Sequence, residues 1–118
     1  MDPIQERARD VGRLIAQTEE YKALKRANER LSDDREAVTT INRLSDLEGE
    51  LAGMLRSGRE PSQEQQREYE SLVESLQQTT VYQGVVAAQS NFDRLMERIN
   101  EEIAQGIQAG DQSRIILP

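Results

Sequence analysis

The chain contains no cysteine, no histidine and no tryptophan. Without cysteine there is no disulfide framework and no thiolate metal site. Without histidine the chain lacks the commonest general base and the usual imidazole ligand for metals. A di-iron helical bundle built on Glu-x-x-His pairs is excluded for the same reason. One phenylalanine and three tyrosines leave few large side chains for a core, so Ala, Leu, Ile and Val must do most of the packing. The glycines are scattered and form no phosphate-cradling loop. No apolar run approaches the roughly 18 residues that would span a membrane, and no secretory signal pattern opens the chain. We therefore expect a cytoplasmic protein with no membrane insertion.

What is present points to long helices. The 118 residues suit one small domain. With 36% apolar and 31% charged residues, the composition is that of a coiled coil or long-helix bundle. A core this thin is often completed by a second subunit. The net charge is −7, and the second half is the more acidic: residues 61–118 carry 4 basic and 9 acidic side chains, against 11 and 13 in residues 1–60. Phosphate binding needs a concentrated basic patch, so direct nucleic-acid binding is not expected.

Apolar residues recur at steps of three and four from Ile4 through Val11, Ile15 and Leu24 to Leu31, which predicts a long first helix. Within it Ala8, Gly12 and Ala16 make a small-residue face, suited either to close helix approach or to plain surface. Asp33 with Glu36 reads as a capping-box-like start. The second long helix follows, with Ala37, Ile41, Leu44, Leu47, Leu51, Met54 and Leu55 on one side and Gly49 and Gly53 as a weak point or close contact. Gly58 and Pro61 end it. Ser62 with Gln65 starts a shorter third helix carrying Tyr69, Leu72, Val73 and Leu76. At Gln77-Gln78-Thr79-Thr80 we expect a joint, with Thr80 as cap and Gln83 as its capping-box partner. The last helix then runs from Val81 to Ile107, where Gly106, Gly110 and Asp111 close the pattern. Gly84, Ala87 and Ala88 at its start suit close helix approach. The tail Ser113–Pro118 either docks or frays. No long internal repeat stands out beyond the helical pattern.

Few residues offer chemistry. Glu70 with Glu74, and Glu97 with Glu101, are the candidate Mg²⁺ carboxylates, each pair four apart on a helix face. In so acidic a chain, such pairs read first as solvated surface. Lys22, Arg26 and Arg30 form a basic stripe with Lys25 beside it, fit either for an acidic partner or for solvent. Tyr21 and Tyr82 stand among polar residues at helix boundaries, where a ring packs and its hydroxyl stays wet.

The stretch TEEYKALKRANERLSDDREAVTTINRL, followed by GREPSQEQQREYESLVESLQQTTVYQGVVAAQSNFDRLMERINEEI, resembles the YlbF/YmcA family of small bacterial helical proteins. The likeness runs from Ile4 to Ile107. Its carriers are Glu20-Tyr21-Lys22, the acidic start with Ala37, the turn of Gly58, Pro61 and Ser62, and the long last helix opening near Val81. It implies an all-helical, self-associating protein with no enzymatic activity. Characterised relatives act in competence, sporulation and biofilm development, in a complex that influences messenger-RNA maturation by a membrane-bound endoribonuclease. Some contribute cysteines to iron–sulfur clusters, a role this cysteine-free chain cannot share. Where relatives commonly have Asn-Pro, this chain has Thr79-Thr80.

The reading is an all-α bundle of three to four helices, with long first, second and last helices, completed by homodimerisation or higher homo-oligomerisation. Residues 2–108 form one domain and 109–118 a tail. No catalytic residue, cofactor or metal is called for. The expected function is that of a non-enzymatic regulatory adaptor with a protein partner; the alternatives are a structural or chaperone-like oligomer and a carboxylate–Mg²⁺ hydrolase. Tyr21, Lys22, Arg26, Arg30 and Tyr82 are the candidate partner-binding residues. Leu44, Leu51, Val85, Phe92, Leu95 and Ile99 are the candidates for core or dimer packing.

Overall fold

The computed structural model describes residues 2–116, with side chains over residues 2–111. Among the described residues lie five helices and no strand: α1 Pro3–Ala16, α2 Glu19–Asp33, α3 Arg35–Arg56, α4 Gln63–Gln77 and α5 Thr80–Ile116. The fold is all-α, as expected. Five helices replace the expected three or four because the long first helix is divided in two.

Thr18 makes that division. Its hydroxyl donates to the Ile15 carbonyl at 2.6 Å and accepts the Tyr21 N–H at 3.1 Å. One side chain thus ties down the end of α1 and caps the start of α2. Apolar spacing runs across so short an interruption undisturbed, so periodicity alone fuses the two helices.

The joint after α4 is built the same way. The Thr79 hydroxyl donates to the Leu76 carbonyl at 2.7 Å and accepts the Tyr82 N–H at 3.3 Å. The joint stands where it was expected, but the cap is Thr79, not Thr80. Gln83 closes no capping box with Thr80; its amide donates to the Gln77 carbonyl at 3.0 Å. The sequence therefore repeats a plan at a fixed distance of 61 positions, visible in the pairs Gln17/Gln78, Thr18/Thr79, Tyr21/Tyr82 and Ala27/Ala88. Both alanines are buried.

The other caps decide the remaining ends. Asp2 accepts the Ile4 N–H at 2.8 Å, with Pro3 in the first turn of α1. Asp34, not Asp33, caps α3: it takes extended backbone and accepts the Ala37 N–H at 2.9 Å, while α2 keeps its helical turn through Asp33. Ser62 and Gln65 form the expected capping box, with both arms present at 3.1 and 2.9 Å. At the end of α3, Gly58 has φ +75°. The Arg59 N–H reaches the Met54 carbonyl at 2.8 Å and the Gly58 N–H reaches Leu55 at 3.2 Å, the paired bonds of a Schellman motif. Gly106 and Gly110 do not end α5, which continues to Ile116. Each costs about 1 kcal/mol within a helix, a penalty that the ladder of a long helix absorbs. The expected docking of the tail concerns side chains outside the described residues.

The chain divides into two compact units, Met1–Leu24 with Ala88–Pro118, and Lys25–Ala87. The second unit holds most of the core. Ala37, Leu44 and Leu76 are buried together, with Leu31, Ile41, Tyr69, Leu72, Val73, Val81 and Tyr82 packed against them; Leu47 is fully buried. Arg43 clamps α3 to α4, donating from Nε and one terminal nitrogen to the two oxygens of Glu68 at 2.7 and 3.0 Å. That hydrogen bonding holds the Glu68 carboxyl below its ordinary range and raises Arg43. In the first unit Ala88 is the one buried residue among the described side chains, and α1 buries none.

Candidate functional site

Each unit presents a cleft between helices. In the first unit α1 and α5 line an open cleft of about 890 Å³, with Ile4, Ala8, Val11, Gly12 and Ile15 on one side and Met96, Ile99, Ile103, Gly106 and Ile107 on the other. The wall positions on α1 fall at steps of three and four, so one continuous apolar stripe is left open rather than scattered side chains. Ile4 is 78% exposed, Ile107 68%, Ile103 55% and Val11 38%. Arg7 is the single charged side chain in the lining. A Cβ added at Gly12 or Gly106 would meet nothing within 4 Å. The small-residue face of α1 therefore borders open space within this chain rather than a closely packed helix. Gly49, Gly53 and Gly84 are equally free of close neighbours.

In the second unit a smaller cleft of about 440 Å³ lies over the α3–α4 core. Buried Leu44 and Leu76 line it with Ile41 and Val73, and Ser45, Glu48, Tyr69, Gln77 and Tyr82 supply its polar groups. The Tyr69 hydroxyl donates to Glu48 Oε1 at 3.4 Å.

The candidate residues fall as follows. Tyr21 belongs to the first unit, with its ring centroid 6.0 Å from that of Phe92 and the planes tilted by 57°. Beside them Arg98 reaches Glu20 at 3.3 Å. Tyr82 belongs to the second unit and lines its cleft. Lys22, Arg26 and Arg30 are exposed along α2 and join no ion pair among the described residues. Of the packing candidates, Leu44 is buried in the second unit, where Leu51 and Val85 are half-buried; Phe92, Leu95 and Ile99 are half-buried in the first, and Ile99 lines the open cleft. Glu70, Glu74, Glu97 and Glu101 are exposed, and among the described residues no group of three or more acidic side chains is arranged to hold a metal. Among the described residues no helix is long and apolar enough to cross a membrane.

Sequence reasoning passed over two features. The Arg43–Glu68 clamp spans 25 residues, and no local pattern announces such a pair. The contribution of Ile4, Val11, Ile103 and Ile107 to one cleft was legible only as two separate helical stripes.

Residues 4–108 match the family described as control of competence regulator ComK, YlbF/YmcA. A UPF0342 protein of Leuconostoc citreum is 19% identical over 104 residues, covering 88% of each chain. A UPF0342 protein of Limosilactobacillus reuteri is 21% identical over 105 residues, covering 89% of this chain and 85% of its own. A protein of unknown function from Bacillus stearothermophilus shares the fold with a TM-score of 0.64 at 17% identity, over 91% of this chain and 94% of that one.

Proposed function

The chain belongs to the YlbF/YmcA family, and on that premise we propose that it is a non-enzymatic regulatory adaptor working in the cytoplasm through helix-face contacts. The family is linked to control of the competence regulator ComK, which is a regulatory role. A link to RNA processing or bacterial development, as in characterised relatives, fits the same reading, though without their cysteine-borne clusters. Residues 2–108 are the working domain, with 109–118 as a tail.

One observation carries the reading: the apolar α1/α5 cleft, with Ile4, Ile103 and Ile107 each more than half exposed. An amphipathic helix is stable mainly through packing of its apolar face, and α1 has no buried residue of its own. A second copy, laying its own α1/α5 pair over the first, supplies the missing cover and completes a four-helix arrangement with a two-fold axis. The exposed basic side chains of α2, Lys22, Arg26 and Arg30, then remain for an acidic surface of the regulated partner.

Sedimentation equilibrium across a wide concentration range tests the assembly. The expected species is a dimer of twice 13.4 kDa. A chain that stays monomeric at about 1 mM, where specific protein dimers are well populated, removes the support for this arrangement.

A further inference from the structure

The repeated plan places two clefts beside equivalent helices, and the residues that differ between them indicate different occupants. Shifted by 61 positions, Ala8, Gly12 and Ile15 of α1 correspond to Tyr69, Val73 and Leu76 of α4. The α1 cleft carries one charge, the cation Arg7, and no aromatic ring. The α3/α4 cleft also carries one charge, but it is the carboxylate of Glu48, and two tyrosines share the lining with it.

We infer that the α3/α4 cleft is a binding site for an organic cation, an alkylammonium or alkylguanidinium group with a short apolar stem. Three features of the cleft match three parts of such a ligand. Leu44 and Leu76 are buried in the core, so the apolar floor is already formed and suits a hydrocarbon stem. Tyr69 and Tyr82, packed against the core, also line the cleft, and an aromatic ring attracts a cation through its quadrupole. Glu48 offers the countercharge: Oε1 takes the Tyr69 hydroxyl, and Oε2 has no partner among the described residues. Glu48 is exposed, so a neutral ligand would gain nothing from its charge, and an anionic one would meet repulsion. The volume of about 440 Å³ admits a small amine or one long basic side chain, not a helix.

The site is separate from the α1/α5 cleft, so its failure leaves the proposed dimer untouched. The test is titration of the ¹⁵N-labelled chain with n-butylammonium and n-butylguanidinium, beside neutral n-butanol and anionic valerate. Both cations should give saturable shifts at Ser45, Glu48, Tyr69, Gln77 and Tyr82, while Val11, Ile99 and Ile103 in the other cleft stay still. Glu48→Gln should weaken binding about tenfold through loss of a charge-assisted contact. Tyr82→Leu should weaken it about threefold through loss of the ring face. A free amine and a partner's side chain share this chemistry. A helical peptide with one lysine that binds more than tenfold tighter than n-butylammonium assigns the site to a partner, and no such gain assigns it to a free amine; both support the inference. Equal shifts with n-butanol, equal shifts in the two clefts, or unchanged affinity in Glu48→Gln would overturn it.

Discussion

Replacing Ile103 by aspartate should dissolve the proposed dimer and leave the subunit folded. Full burial of an Ile or Val side chain is worth about 1.5–3 kcal/mol. Scaled by their exposed fractions, Ile4, Val11, Ile103 and Ile107 carry about 4–7 kcal/mol per copy that a cover would release. A two-fold interface counts this twice, giving about 7–14 kcal/mol. Association itself costs about 4–15 kcal/mol in lost freedom, so the dimer stands on nearly all of these contacts. Ile103, at 55% exposure, supplies about 0.8–1.7 kcal/mol per copy. Ile103→Ala removes most of that twice and should weaken the dimer roughly 30-fold. Ile103→Asp adds two carboxylates to a dry cleft, each costing a further few kcal/mol, and should weaken it more than about a thousandfold. Sedimentation velocity over a concentration series reads the dissociation constant, and circular dichroism checks that helix content is kept. An Ile103→Asp chain that is folded and still dimeric at micromolar concentration would refute the placement of the interface.

Three further outcomes are expected. In the monomeric Ile103→Asp background, Gly12→Ala should raise the thermal midpoint by the equivalent of about 1 kcal/mol, because a Cβ there meets nothing within 4 Å and alanine is the better helix former; a lowered midpoint would mean that the cleft is closed at Gly12. Thr18→Val and Thr79→Val should each cost about 1 kcal/mol in urea denaturation, since each hydroxyl caps the helix after it; a neutral pair of variants removes the joints from the account of the fold. The Glu68 carboxyl is held below its ordinary range by hydrogen bonding to Arg43, so it gains stability on folding that is present above the unfolded value of about 4.3 and lost as pH falls through the lower folded value. Glu68→Gln should therefore be less stable than the parent near neutral pH, with the gap closing on acidification; a gap that is constant from neutral to acid would contradict the clamp.

The helices were legible where side chains repeat with the helical period, and their ends where a cap uses local chemistry. Ser62 with Gln65, and Gly58 at the end of α3, were both readable because each needs only residues within one turn. The errors have one character. Asp33 against Asp34, and Thr80 against Thr79, are adjacent residues of the same capping type, and composition cannot tell which of two neighbours leaves the helix. Gly106 and Gly110 read as a stop, yet neither takes the left-handed backbone with which Gly58 ends α3, and α5 runs through both. The division at Thr18 did leave a signal, the Gln-Thr-x-x-Tyr spacing that recurs at Gln78. It could be recognised only by comparing the first half of the chain with the second, because each copy alone passes for part of an apolar stripe.

That comparison also separates what the two units can do. The same plan of helix, threonine joint, tyrosine and buried alanine occurs twice, so differences at equivalent positions isolate side-chain effects from backbone ones. On α4, Tyr69, Val73 and Leu76 are large enough to pack on the α3 core, and they leave a cleft of about 440 Å³ above it. On α1, the equivalent Ala8 and Gly12 are too short to reach across, and about 890 Å³ stays open beside α5. A larger opening is not by itself a binding surface, since a short side chain on a polar face would also leave room. Here the opposite wall is Met96, Ile99, Ile103 and Ile107, which gain nothing from water. Trimmed residues facing an apolar wall leave apolar surface that a cover would remove from water, whereas the filled α3/α4 core has one carboxylate and two tyrosines at its rim. The first unit is thus the one that the proposed association would cover, and the second unit is where the proposed cation site lies.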